Sequence, residues 1–285
     1  MSGRETMPPA AGDSVGRLRR AKVSSGGREP RSDERGRRLV GKTEFDRYAV
    51  DYRATVNEAA GIARVDVDEL AGYKARLLLD LMERQLGDAR TRKVLDVGCG
   101  IGLVDAELVS GVGELQGIDT SRQSLAEAKQ AAPAARFTHF DGGRIPHADA
   151  AFDLVFAICV VHHVPPRDRQ AFVHEMVRVT RPGGIVAIIE HNPLNPLTRY
   201  IVARCPFDHD AVLLRPVSGA RFLADAGLEP GGRGYIAFWP KRSAVIERVE
   251  RWIGWLPAGA QHYVWATKGP AGPGSPSRPA RSRQS

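Results

Sequence analysis

The stretch V-L-D-V-G-C-G-I-G, residues 94–102, decides the fold of this chain. Three glycines stand at alternate positions directly after an apolar run, and an amphipathic segment follows them. Residues 93–97 are predicted to form a strand and residues 101–111 a helix. A glycine loop between a strand and a helix is typical of a nucleotide-type ligand site at the edge of an α/β sheet.

The spacing of this loop argues against a bound dinucleotide. A nicotinamide fingerprint has glycines in the order G-x-G-x-x-G, whereas here they run G-x-G-x-G and position 103 is leucine. Asp96 lies two residues before the first glycine, where a carboxylate would repel a diphosphate. The same carboxylate suits a cationic ligand that carries an ammonium and a sulfonium group. A nicotinamide-dependent oxidoreductase on a similar sheet remains the alternative interpretation.

Apolar runs and amphipathic segments alternate through the middle of the chain, which predicts a parallel sheet with helices on both faces. The fold class is therefore α/β, with a doubly wound, mostly parallel, Rossmann-like sheet and helical caps. The predicted strands are 93–97, 114–119, 136–140, 152–158, 185–190 and 261–268. The predicted helices are 44–60, 68–86, 101–111, 121–132, 167–180, 195–204, 217–226 and 241–254, of which the first two and the last three cap the sheet.

Charge divides the chain into a nearly neutral body and two basic ends. The whole chain carries a net charge of +8, of which +6 falls in residues 1–42 and +4 in residues 268–285, so the body is at −2. Both ends are rich in Gly, Ser, Pro and Arg and are predicted to be disordered tails, 1–42 and 269–285, around one domain at 43–268. A basic face on the body is not evident, so no nucleic-acid partner is expected.

The sequence also predicts a cytoplasmic protein. No apolar run is long enough for a transmembrane helix, and the N-terminus lacks the apolar segment of a signal peptide. The three cysteines are odd in number and widely spaced, which favours a reducing compartment over a disulfide framework. Nothing in the sequence indicates an oligomeric state.

The motif D-V-G-C-G-I-G resembles the first motif of class I S-adenosylmethionine-dependent methyltransferases, and further likenesses follow in order over residues 93–190. In that family the glycine loop lets the backbone approach the methionine part of the cofactor. Asp119, about twenty residues after the loop, can accept hydrogen bonds from ribose hydroxyls, and Asp141 resembles the adenine-contacting acid. The resemblance implies S-adenosylmethionine as the cofactor, bound by Asp96, Gly98, Cys99, Gly100, Gly102, Asp119, Thr120, Asp141, Gly142 and Cys159.

A narrower likeness, to bacterial small-molecule methyltransferases, extends over residues 44–268. It is carried by F-D-R-Y-A-V-D-Y at 45–52, by the segment 190–214, and by 255–268. The resemblance implies that Tyr48 and Tyr52, four residues apart on one helix face, lie over the cofactor on the acceptor side. Packing of the cap onto the body is the alternative role for these tyrosines.

The acceptor side is predicted from polar residues after the fourth and fifth strands. His162 and His163 are the candidate catalytic residues, because a neutral imidazole can deprotonate a hydroxyl group near neutral pH. His191, Asn192 and Asn195 could bind the acceptor, although Asn-Pro pairs also form ordinary turns.

No metal site is expected from the sequence. Adjacent histidines point apart on most backbones, and no Cys/His spacing pattern indicates zinc.

The resemblance, together with the two candidate histidines, predicts an S-adenosylmethionine-dependent methyltransferase that acts at oxygen on a small-molecule acceptor. A protein that binds S-adenosylmethionine without turnover is a further alternative.

Overall fold

The computed structural model of the chain describes residues 66–208, 211–241 and 243–270. The predicted tails, the predicted helix 44–60, Tyr48 and Tyr52 lie largely or wholly outside these ranges. The helices are α1 Val67–Leu86, α2 Leu103–Leu108, α3 Arg122–Ala131, α4 Arg169–Val179, α5 Pro196–Val202, α6 Pro216–Asp225 and α7 Ala244–Ile253. The strands are β1 Lys93–Val97, β2 Glu114–Asp119, β3 Arg136–His139, β4 Phe152–Ile158, β5 Thr180–His191, β6 Glu229–Ile236 and β7 Gln261–Thr267.

The strands form one sheet in the order β3-β2-β1-β4-β5-β7-β6. The first five strands in this order run parallel to one another, and β7 runs antiparallel to both β5 and β6. The predicted doubly wound, mostly parallel sheet is confirmed. The strand order reverses between β1 and β4, and in such sheets ligands bind at the carboxyl edge beside this switch point.

Each face of the sheet is covered by helices through its own apolar cluster. On one face, residues of α1 such as Leu78 and Met82 pack against Val94 of β1 and Leu154 of β4. On the other face, α4 and α6 cover the sheet through a second cluster that includes Met176. Burial on both sides explains why β1, β4 and most of β5 are nearly continuous apolar runs.

The sixth strand is an element that the sequence analysis missed. Its first half, Glu229–Gly232, contains a proline and two glycines, which are residues that disfavour strands. The structure shows why glycine stands there: a Cβ on Gly231 would lie 2.2 Å from the indole of Trp265 on β7. The glycines therefore make room for a large cross-strand side chain.

Among the helices that the structure describes, none is both long enough and apolar enough to cross a bilayer.

Candidate functional site

The glycine loop follows β1 at the carboxyl edge of the sheet. The backbone amides of Gly98 and Cys99 donate to the carbonyl oxygen of Ile118, which ties the loop to β2. Gly98 has a φ of 87° and Gly100 a φ of 54°, in the left-handed region that side chains disfavour. No atom of the described residues lies within 4 Å of the position that a Cβ on Gly100 would take. The loop therefore presents bare backbone to open space.

Asp119 at the end of β2 holds this loop in place. Its Oδ2 accepts a hydrogen bond from the amide of Gly100 at 2.9 Å, and its Oδ1 accepts one from Ser121 at 2.8 Å. Each carboxylate oxygen has two lone pairs, so both can accept a further bond from a ligand hydroxyl. The structure thus brings Asp119 to the glycine loop, and its predicted contact with a ribose stays a prediction.

Asp96 is buried beneath the loop without a matching donor. Its Oδ1 has no hydrogen-bond partner anywhere in the described part of the chain. Burial, together with the nearby carboxyl groups of Asp105 and Asp119, raises its pKa well above the usual range, while the charge of Lys74 opposes the shift. Lys74 is itself buried on α1 and was not singled out from the sequence. A buried carboxyl group with a free oxygen is what a ligand ammonium group would satisfy.

Two of the predicted cofactor residues serve the loop through packing. The side chain of Cys99 lies in an apolar cluster with Leu125, Ala128 and Phe137, so it can face a cofactor only through its backbone. A Cβ on Gly102 would lie 2.9 Å from Ala128, which lets α2 approach α3 closely.

The three predicted cofactor residues beyond β2 and β3 are more exposed. Thr120 is half-buried, while Asp141 and Gly142 are exposed on the loop after β3. The Oδ1 of Asp141 accepts a hydrogen bond from the amide of Gly143 at 2.9 Å, which is the geometry of an ordinary turn. Its contact with an adenine remains a prediction.

Both predicted catalytic histidines lie on a single 3₁₀ turn after β4, Val161–His163, which we call the histidine turn, and both face Asp208. The Nε2 of His162 is 3.3 Å from Oδ1 of Asp208, and the Nε2 of His163 is 3.2 Å from the same oxygen. The two rings have centroids 4.1 Å apart. The expectation that adjacent histidines point apart is wrong here, because a helical turn separates successive side chains by about 120° rather than the 180° of a strand.

Glu190, near the end of β5, fixes the other side of His162. Its Oε2 is 2.5 Å from the Nδ1 of His162. Its Oε1 accepts hydrogen bonds from the backbone amides of Val160, Val161 and His162 at 3.2, 2.7 and 3.3 Å. The carboxylate is fully buried, so this one side chain orients both the turn and the imidazole.

The two carboxylates set the electrostatics of the histidines. Burial lowers the pKa of a histidine, but Glu190 and Asp208 outweigh it and raise the pKa of His162 well above the usual range. His162 in turn lowers the pKa of Glu190 to about 2 against the effect of burial. Burial lowers the pKa of His163, and it lowers that of His191 to about 4.

The position of each histidine limits what it can touch. The side chain of His162 is fully buried between two carboxylates, so it has no surface for an acceptor, whereas that of His163 is 19% exposed. The centroids of the His191 and His162 rings are 5.2 Å apart. Cys159, with a φ of 56°, lies between β4 and the 3₁₀ turn.

The side chains of Asn192 and Asn195 are hydrogen-bonded within the chain. The amide nitrogen of Asn192 donates to the carbonyl oxygens of Pro257 and Gly259, and its oxygen accepts from Leu194. Asn195 caps the N-terminus of α5 and donates to the carbonyl oxygen of Ala258. Both side chains fasten the loop before β7, and their contact with an acceptor stays a prediction.

Sequence reasoning missed Glu190 and Asp208. Glu190 left a signal, because a lone acid stands at the end of an otherwise apolar buried strand. Asp208 left none, since it lies at the end of a short 3₁₀ turn, Pro206–Asp208, 46 residues after His162. It lines an open pocket of about 510 Å³, together with Pro196, Arg199, Tyr200, Val202 and Leu213. That volume is within the range of small-molecule sites.

Comparison with known proteins identifies the central part of the chain. Residues 95–188 match the family model of a methyltransferase domain. Methyltransferase GfsG of Streptomyces halstedii is 37% identical over 131 residues, which are 44% of this chain and 46% of that protein. Tocopherol O-methyltransferase of Arabidopsis thaliana is 33% identical over 193 residues, which are 59% of this chain and 53% of that protein. The chain thus spans about half the length of these relatives.

A solved structure supports the fold over a longer range. A methyltransferase from Thermotoga maritima, described as S-adenosylmethionine-dependent, aligns with a TM-score of 0.57 at 16% identity. The alignment covers 79% of this chain and 98% of that one. At this identity the likeness concerns the fold alone.

Proposed function

Because the chain belongs to the class I S-adenosylmethionine-dependent methyltransferases, we propose that it transfers a methyl group from S-adenosylmethionine to an oxygen atom of a small molecule. The observation that carries the proposal is the cradle at the carboxyl ends of β1 and β2. Its parts are an open glycine loop, a carboxylate at Asp119 and a buried carboxyl group at Asp96.

The residues present fit this cofactor. The unpartnered Oδ1 of Asp96 suits its ammonium group, the bare backbone at Gly100 admits its methionine part, and Asp119 suits its ribose. Gly98, Cys99, Gly102, Thr120, Asp141, Gly142 and Cys159 complete the proposed site. The cofactor supplies a methyl group on a sulfonium, which is ready for displacement by a nucleophile. A carboxyl group at Asp96 would be unfavourable beside a nicotinamide dinucleotide.

The acceptor is proposed to bind beside the histidine turn. His163 is the member of the pair with exposed surface, so we assign it the contact with the acceptor, while buried His162 acts as a positioning residue through Asp208. His191 borders the same turn. Correct orientation of two reactants is worth about 7–11 kcal/mol of a barrier, so holding the acceptor is the main task of these residues.

Oxygen is the proposed methylated atom. The pair of imidazoles suits a hydroxyl group, and the relative from Arabidopsis thaliana is named as an O-methyltransferase. The neutral body of the chain favours a small acceptor over a nucleic acid.

The first experiment is a calorimetric titration of the full chain with S-adenosylmethionine and, separately, with NAD. Two variants on the same strand form a matched pair: Asp119→Ala at the carboxyl end of β2 and Glu114→Ala at its amino end. We expect micromolar S-adenosylmethionine binding by the wild type and Glu114→Ala, binding at least about 100-fold weaker by Asp119→Ala, and none of NAD. Binding of NAD, or unchanged affinity in Asp119→Ala, would contradict the cofactor assignment.

Turnover separates an enzyme from a binding protein. With cofactor binding established, a panel of phenols, hydroquinones and enols is incubated with methyl-labelled cofactor, and mass spectrometry locates the label. O-methylated products support the proposal. Label on nitrogen or carbon would overturn the assignment of the atom, and tight binding without any product across the panel would favour a non-catalytic protein.

A further inference from the structure

Two imidazoles and one carboxylate converge at the histidine turn in a way that resembles the ligand set of a metal ion. The donor atoms of His162, His163 and Asp208 all lie within 4.8 Å of one another. Both Nε2 atoms are 3.2–3.3 Å from Oδ1 of Asp208. In a tetrahedral site with bonds of about 2.0–2.1 Å, neighbouring ligand atoms are about 3.3–3.4 Å apart.

From this geometry we infer that His162, His163 and Asp208 form a binding site for one first-row divalent metal ion such as Zn²⁺. The spacing of the donor atoms requires only small side-chain movements to accept the ion. Two histidines and a carboxylate are borderline ligands that these ions prefer, and three protein ligands leave a position open for a bound molecule.

The surroundings of His162 carry the same conclusion. Metal-binding histidines almost always donate their second ring N–H to a carboxylate or carbonyl group. Here Glu190 occupies that position on Nδ1 at 2.5 Å, which leaves Nε2 of His162 directed at Asp208. The three backbone amides on the other oxygen of Glu190 hold this orientation.

Charge and access also favour an ion at this place. The carboxylates of Glu190 and Asp208 are both buried, and a divalent ion would supply beside them the positive charge that His162 otherwise provides. Asp208 lies in the wall of the open pocket, so an ion bound to it can be reached from outside. A further histidine beside His162, His191, is not a member of the set among the described residues.

A bound ion gives the acceptor site a definite chemistry. Its open coordination position suits an oxygen ligand, so it selects acceptors with a hydroxyl or enol oxygen and orients that oxygen. This part of the inference rests on the proposed function, whereas metal binding itself does not.

The experiment is a titration of the tag-free, chelator-treated full chain with Zn²⁺, and with Co²⁺ followed by visible absorption, both in the absence of S-adenosylmethionine. His163→Gln and Asp208→Asn remove one ligand each. His174→Gln is the matched control. His174 is an exposed histidine on α4 that lies beside Gln170 and is not part of the His162, His163 and Asp208 set. Thermal unfolding of each variant checks that it is folded.

We expect one equivalent of metal in the wild type and in His174→Gln, with a Co²⁺ spectrum of low coordination number. Binding should be about 100-fold weaker or more in both ligand variants. Absence of binding to the wild type, or unchanged binding in Asp208→Asn, would overturn the inference. Because S-adenosylmethionine is titrated separately, loss of metal binding with intact cofactor binding would leave the proposed function standing.

Discussion

The two halves of the site treat their buried carboxyl groups in opposite ways. Under the glycine loop, Asp96 has one oxygen without a hydrogen-bond partner and Asp105 has two, counting all residues that the structure describes. Their pKa values are raised, that of Asp105 to about 7, with burial as the main cause. At the histidine turn, Glu190 and Asp208 are both paired with histidines, and their pKa values are lowered.

This difference separates a half whose carboxyl oxygens lack partners from a half whose carboxylates are paired with side chains of the chain itself. A bound cation would give the unpartnered carboxyl oxygens the hydrogen bonds that they lack, so the cofactor half is suited to a cationic ligand. The histidine turn is held by bonds within the chain and is rigid before anything binds. The predictions that follow probe this contrast, beginning with the largest effect.

Removing the carboxylate at Glu190 should produce the largest loss of stability. Glu190→Ala leaves three backbone amides and an imidazole without their acceptor, and breaking a buried pair in this way costs about 3–5 kcal/mol. Urea denaturation followed by circular dichroism measures the free energy of unfolding.

The control is Glu114→Ala, which removes a carboxylate with two exposed cationic partners, Lys93 and Arg136. Exposed pairs contribute about 0–1 kcal/mol. Equal losses in the two variants would contradict the special position of Glu190.

The unpartnered carboxyl group of Asp105 should make stability fall as the pH rises. Its pKa of about 7 in the folded chain exceeds the value of about 3.8 in the unfolded chain, so the unfolded state loses the proton first. Stability from this group is complete below about pH 4 and is lost by about pH 7, a change of about 2 kcal/mol above pH 5. Asp105→Asn should flatten that slope.

The measurement is urea denaturation of wild type and Asp105→Asn at several pH values between 5 and 8. Asp149→Asn, a variant at an exposed carboxylate paired with Arg178, serves as the control and should leave the slope between pH 5 and 8 unchanged. An identical slope in wild type and Asp105→Asn would show that Asp105 is ionised in the folded chain throughout.

The contact between the two halves is tested at Gly98. A Cβ there would lie 2.5 Å from Cγ2 of Val160, and the φ of 87° is unfavourable for alanine. We expect Gly98→Ala to lose about 2 kcal/mol of stability by thermal or urea unfolding. The double variant with Val160→Ala should recover part of the loss, and no recovery would mean that the steric contact is not its cause.

Gly100→Ala is expected to have the smallest effect on stability of these variants. It is nevertheless expected to weaken ligand binding. Gly100→Ala meets no atom of the described chain and bears only the left-handed backbone cost of about 1 kcal/mol. Its methyl group stands in the open space of the loop, so S-adenosylmethionine should bind more than about tenfold more weakly in calorimetry. Normal affinity in this variant would place the cofactor elsewhere.

The fold was predictable where local pattern and burial agree. β1 and β4 have the bounds that their apolar runs predict, because both faces of these strands are buried. β2 also has its predicted bounds, although buried and half-buried residues are mixed along it. β5 is longer than predicted, because Thr180 already pairs with Phe152 and an irregularity carries the strand across Pro182 and the following glycines to Ile185. β6 was missed because its glycines are needed to make room for Trp265. This side chain lies more than thirty residues later, so no local sequence pattern reveals it.

The site divides along the same line. Asp96, Gly100 and Asp119 lie within 24 residues of one another and form a motif that can be read directly. The partners of His162 come from β5 and from the segment before α6, which only folding brings together. For the same reason the sequence did not reveal that the side-chain amides of Asn192 and Asn195 donate to carbonyl oxygens more than sixty residues later.

The bonds to Glu190 have a consequence for hydrogen exchange and for the path of the acceptor. The amides of Val160, Val161 and His162 belong to a loop, yet they end on a buried carboxylate and should exchange with solvent as slowly as amides of the sheet. The histidine turn should therefore stay fixed against β5. Under the proposed function, motions that admit or release the acceptor have to come from other parts of the chain around the pocket.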